Sequence, residues 1–168
     1  MAVPELFNTI EQTGLSKWIR DSPSVFAYYF IFLFHTIGLS MLVGPSALVD
    51  LRLLGVGSDI PLKPLKRLFS LMWVGLGTMI TTGVFLLIGY PTKALTNPLF
   101  YVKLSFVALA VITVRRIKIR VFDDASLSDA AMSAKGKTMA VLSLVFWIGA
   151  ISSGRLLAET YTYLIYGH

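Results

Sequence analysis

Residues 68–90 read LFSLMWVGLGTMITTGVFLLIGY, 23 positions without one charged side chain. As a helix this stretch covers about 35 Å, and a bilayer's hydrocarbon core is about 30 Å thick. Three further apolar stretches, 25–49, 99–114 and 139–163, approach or exceed the same length. Hydrophobic residues make up 55% of the 168, and charged residues 14%. A soluble domain of this size needs more polar surface to cover itself. The sequence therefore predicts an all-α integral membrane protein, a four-helix transmembrane bundle over 25–168 with spans at about 25–49, 68–90, 99–114 and 139–163.

The absence of cysteine excludes disulfides, thiolate metal sites and thiol nucleophiles. A formal charge of +6 invites a nucleic-acid reading. In a membrane chain, however, the placement of Lys and Arg carries the information, and no nucleic-acid partner is expected. Arg52, Lys63, Lys66 and Arg67 fall between the first two spans. Arg115, Arg116, Lys118, Arg120, Lys135 and Lys137 fall between the last two. The other side holds only Lys17, Arg20 and Lys93, so the bias is ten to three. The positive-inside rule then puts both termini on the periplasmic side of a bacterial inner membrane.

Residues 1–24 do not read as a cleavable signal, because Glu5 and Glu11 stand where a basic region belongs. Leu6, Phe7, Ile10, Trp18 and Ile19 recur at near-helical spacing, which predicts an amphipathic helix lying on the outer interface. Asp21, Ser22 and Pro23 then suit a helix start. Between the spans, IPLKPLKRL reads as an interfacial connection and DDASLSDAAMSAKGK as a solvated loop. Neither contains a phosphate cradle or a metal-ligand cluster. Gly75, Gly77 and Gly83 are expected to permit close helix approach. Thr78, Thr81 and Thr82 are expected to bond back to their own helix.

Ionisable residues at depth are the candidate functional groups, since each is expensive in a bilayer. His35 lies ten residues beyond Val25, about 15 Å in, near the midplane. Lys103 and Arg155 reach similar depths in the outer leaflet, with Glu159 one turn beyond Arg155. A neutral imidazole in an apolar bundle is a natural axial ligand for heme iron. Two cations above it would receive heme propionates, and Gly38, one turn from His35, would leave room for a flat macrocycle. The only other histidine, His168, is the last residue, which leaves either five-coordinate iron or a heme shared by two copies of the chain. The same groups also suit a quinone, a proton relay or a copper ligand in a transporter. The plainest alternative is structural: His35 hydrogen-bonds a neighbouring helix, Lys103 snorkels to the interface, and Arg155 pairs with Glu159.

The stretch FLFHTIGLSMLVGPSALVDLRLLG resembles the first helix of small bacterial four-helix membrane proteins. Among these are the copper-resistance protein D family and the membrane-bound protoporphyrinogen oxidase family. The WIGAISSGR element, Trp147 to Arg155, is similar to the end of an uncharacterised family of the same build. Resemblance to the oxidase family implies heme b held by a helix histidine, with a lysine on a later helix also important. His35 and Lys103 are the matching positions. The expectation is a heme b-binding protein carrying electrons between quinol and a periplasmic partner, with site residues His35, Gly38, Lys103 and Arg155. Oxidation of a porphyrin or another hydrophobic substrate is a further possibility under that resemblance. The competing expectations are a copper-resistance-type transporter and a non-catalytic anchor subunit of a larger membrane complex. A homo-oligomer would suit the shared heme.

Overall fold

The computed structural model describes residues 5–22, 24, 26–124 and 126–166, the last six as backbone only. His168, Pro23 and Val25 lie outside these residues. Among the described residues the chain is helical throughout, without strands. Two short helices, α1 (Glu5–Glu11) and α2 (Gly14–Asp21), precede α3 (Tyr28–Leu53), α4 (Leu68–Gly89), the short α5 (Pro91–Leu95), α6 (Pro98–Ile117) and α7 (Asp129–Tyr166). Four of these, α6 counted with the turn that extends it to Phe122, are long and apolar enough to cross a membrane. Large apolar side chains such as Phe32, Val74, Ile80 and Ile148 cover their outer faces.

The N-terminal segment forms two helices where one was expected. Thr13 breaks the run, since its side chain accepts from the Ser16 N–H and caps α2. Ile19 is buried against Gly89 at the end of α4, where an added Cβ would lie 2.8 Å from Ile19 Cγ2. Trp18 and Leu15 remain exposed.

Helix α3 runs past its expected end. Asp50 and Arg52, which lie beyond the expected span end at 49, are only 1% and 8% exposed. Arg52 is buried because its guanidinium bonds the carbonyls of Ser58 and Ile60, folding the connection back beneath the helix. Gly55 and Gly57 turn that connection with φ of +103° and +66°, a region costly for any side chain. Helix α7 starts ten residues before the expected 139, so half of the supposed loop is helix. Ser128 accepts from the Ala131 N–H at its start, and the alanines that follow favour helix. Asp129 accepts from the Leu62 N–H at 3.0 Å, which fastens this end to the other connection.

The helices pack in a row. α3 lies along α4 on one side and against α7 on the other, and α7 lies along α6. The buried apolar core sits at the end that holds the two basic connections, from Leu42, Val49 and Leu53 through Phe69, Met72, Val114 and Ile117 to Met132 and Trp147. There the outer members of the row meet, with the Phe69 and Phe122 rings 5.2 Å apart. Towards the opposite end the long helices bury few side chains against one another.

The two connections are also tied by charge. Asp123 receives Lys66 Nζ at 2.8 Å and Lys118 Nζ at 3.1 Å. These bonds, Lys66 first, hold the Asp123 carboxyl below its ordinary range. A depressed carboxyl stabilises the fold above its unfolded value of about 3.9, and that contribution disappears as pH falls through the lower folded value. The site is open to solvent, so Asp123→Asn should cost under about 1 kcal/mol at neutral pH. Denaturation curves taken at neutral pH and below pH 4 should show the wild-type advantage vanishing in acid.

Candidate functional site

His35 faces α4 from two turns inside α3. Its Nδ1 lies 3.0 Å from Thr82 Oγ1. The Thr82 hydroxyl is 2.7 Å from the Thr78 carbonyl, the shortest of its contacts. A hydroxyl carries one hydrogen, and here the helix carbonyl takes it. Thr82 Oγ1 therefore accepts from Nδ1–H. This assigns the tautomer from the hydrogen-bond network: Nδ1 is protonated and Nε2 keeps its lone pair. The ring also packs against Gly83. An added Cβ there would touch the ring at 3.4 Å from Cε1.

Lys103, half-buried on α6, lies with its stem against α7, where a Cβ on Gly154 would be 3.6 Å from both Cδ and Cε. It has no carboxylate partner among the described residues, and its charge acts on the His35 ring. The structure thus brings His35 and Lys103 into one neighbourhood. Gly38 and Arg155 do not join them as expected. Gly38 leaves no room for a macrocycle, because its open face is filled by α4: a Cβ there would sit 2.9 Å from both Gly75 O and Met79 N. The Arg155 side chain is 78% exposed and pairs with Glu159 at 2.9 Å. In WIGAISSGR the inward residues are Trp147, Gly149, Ala150, Ser153 and Gly154. At about 100° per residue the next position turns away from the bundle.

No family model, curated protein or solved structure matches this chain.

On the far side of the α3–α4 seam runs a shallow groove of about 550 Å³ lined by Phe26, Phe30, Phe34, Thr78, Thr81 and Thr82. Thr82 belongs to both the groove and the His35 site, so a group in the groove sits one hydroxyl away from the imidazole. Its aromatic and threonine lining suits a flat apolar ring bearing one or two oxygens. Among the described residues no three His, Cys, Asp or Glu side chains gather around a possible metal position. A metal held at His35 would need its other ligands from a prosthetic group or a second chain.

Two features were not visible in the sequence. Thr82 looked like a threonine occupied with its own helix, and it is that bond which turns it into an acceptor for His35. A buried polar cluster also joins α3 to α7. Trp147 Nε1–H donates to Ser46 Oγ at 2.9 Å, and Ser46 reaches Asp50 Oδ2 and Ser143 Oγ at 3.4 Å each. The other Asp50 oxygen is buried without a partner.

Proposed function

We propose that this chain is a heme b-binding protein of a bacterial inner membrane, with both termini periplasmic, and that it passes electrons between a quinol and a periplasmic partner. The observation that carries the proposal is the His35 imidazole, oriented through Nδ1–H by Thr82 with Nε2 left as a donor atom. This is the arrangement by which a second-shell partner fixes a metal-binding histidine. Heme b would supply one-electron chemistry at that ligand. Lys103 supplies the cation for a propionate, and its contact with Gly154 sets how far it reaches. The Thr-lined groove beside Thr82 would receive a quinol headgroup from the lipid. Arg155, paired and turned outward, serves the interface. α1 and α2 lie at that outer interface with Trp18 facing the head groups. The single deep histidine calls for five-coordinate iron or for iron shared by two copies, which heme-to-protein stoichiometry separates. His35 and Lys103 are also the positions on which the chain resembles the protoporphyrinogen oxidase family, and His35 lies in the stretch that resembles the copper-resistance protein D family.

The test is an oxidised-minus-reduced absorption spectrum of the purified protein in detergent, expressed with heme supply confirmed. The wild type should show a Soret band with sharp α and β bands, and His35→Ala should lose them. Thr82→Val keeps the ligand but removes its orienting acceptor, so heme affinity should fall about 10- to 100-fold. A colourless wild type overturns the proposal. Copper tolerance that depends on His35 would then favour transport, and a co-purifying complex unaffected by His35→Ala would favour an anchor subunit.

A further inference from the structure

At the opposite end of the bundle from His35, a groove of about 700 Å³ opens between the connection preceding α4 and the end of α6. Lys63, Lys66 and Arg67 line it from the 3-10 turn Lys63–Arg67, and Lys118 lines it from the π-helical turn Lys118–Phe122. Ser70 and Trp73 form its floor along α4. We infer that this groove binds the phosphate of an anionic phospholipid, with the acyl chains running along α4 past Trp73.

Charge is the first ground. Four cations converge, and among the described residues the one carboxylate paired with them is Asp123, shared by Lys66 and Lys118. Four minus one leaves three positive charges. Lys63 and Arg67 have no ion-pair partner among the described residues. Arg67 offers a planar fork that matches two phosphate oxygens, and the lysines add point charges.

The floor is the second ground, and it decides between a lipid and a free phosphate. Trp73 lies five residues into α4, about 8 Å below its start, and is partly exposed at the groove. An indole at that depth sits at the head-group boundary, where tryptophan is favoured. Ile80, two turns further along the same face of α4, is an exposed apolar side chain that continues the surface towards the membrane centre. A free phosphate has no use for this surface, whereas a phospholipid occupies both halves. The cations come from two connections distant in sequence, so a bound phosphate would also bridge the start of α4 to the end of α6, as Asp123 does now.

The test uses the full chain in detergent micelles doped with phosphatidylglycerol or with phosphatidylcholine at equal mole fraction. Bound lipid is counted by native mass spectrometry. Phosphatidylglycerol should be retained in clear excess over phosphatidylcholine. Lys63→Gln with Arg67→Gln should reduce that retention by about fivefold for each cation lost. Asp123→Asn should act in the opposite sense and raise retention, because it releases Lys66 and Lys118 to the phosphate. A variant that merely damaged the fold would not raise it. Equal retention of the two lipids, an unchanged double variant, or a fall in Asp123→Asn overturns the inference. So does displacement of phosphatidylglycerol by millimolar inorganic phosphate, which would mark a simple anion site.

Discussion

Gly38→Ala and Gly75→Ala should each destabilise the protein by about 3 kcal/mol, at the upper end of what one extra buried methyl usually costs. Gly77→Ala should change stability by less than about 1 kcal/mol. The three substitutions are chemically identical, and only the space differs. A methyl on Gly38 would meet Gly75 O and Met79 N at 2.9 Å. One on Gly75 would meet Gly38 O at 2.8 Å, with Leu42 N and Met41 Cβ at 2.9 Å. Most of these atoms are backbone, so no side chain can swing away, and the helices must separate. Around Gly77 nothing lies within 4 Å. Unfolding of the three variants by denaturing detergent, measured side by side, checks the ranking. Equal stability of all three would show that α3 and α4 do not cross at Gly38 and Gly75.

The same pair of variants reports on the candidate site. His35 and Thr82 lie within about a turn of the Gly38 crossing, on the two helices that the added methyl would force apart. Their 3.0 Å contact cannot survive a separation of an ångström or more, since hydrogen bonds fail beyond about 3.5 Å. Gly38 thus supports the site by holding α3 against α4, a different role from the open space its sequence position suggested.

The spans themselves were legible because apolar length is a property of a single segment. Leu68–Gly89 matches its expected bounds to within one residue, for no charge interrupts it. Legibility failed where a charged residue is buried by a partner elsewhere in the chain. Asp50 and Arg52 looked like the end of a span, yet Arg52 is satisfied by carbonyls in the following connection, and Asp50 is buried with one oxygen on Ser46 and the other unpartnered. It failed again for Arg155, because depth along a helix was readable and rotation about it was not. One residue of phase separates inward Gly154 from outward Arg155. Close approaches were half legible: glycines on α4 were expected to pack, but composition cannot distinguish Gly75, which does, from Gly77, which does not.

Trp147→Ala should cost about 3–5 kcal/mol, the range for deleting a buried large aromatic side chain. The residue is 2% exposed and stands in the core where α7 meets α3. Two milder substitutions separate its volume from its hydrogen bond. Trp147→Phe keeps most of the apolar contact and removes the donor to Ser46. Ser46→Ala keeps the indole but leaves its N–H without an acceptor and Asp50 Oδ2 without its donor. A buried group stranded in this way costs about 1–3 kcal/mol, so Ser46→Ala should be the more damaging of the two. Combined, they should be less destabilising than their sum by about 0.5–3 kcal/mol, because the second substitution removes a partner already lost. Additive costs in this double-mutant cycle would mean that Trp147 and Ser46 contribute independently. The polar bridge between α3 and α7 would then be packing alone.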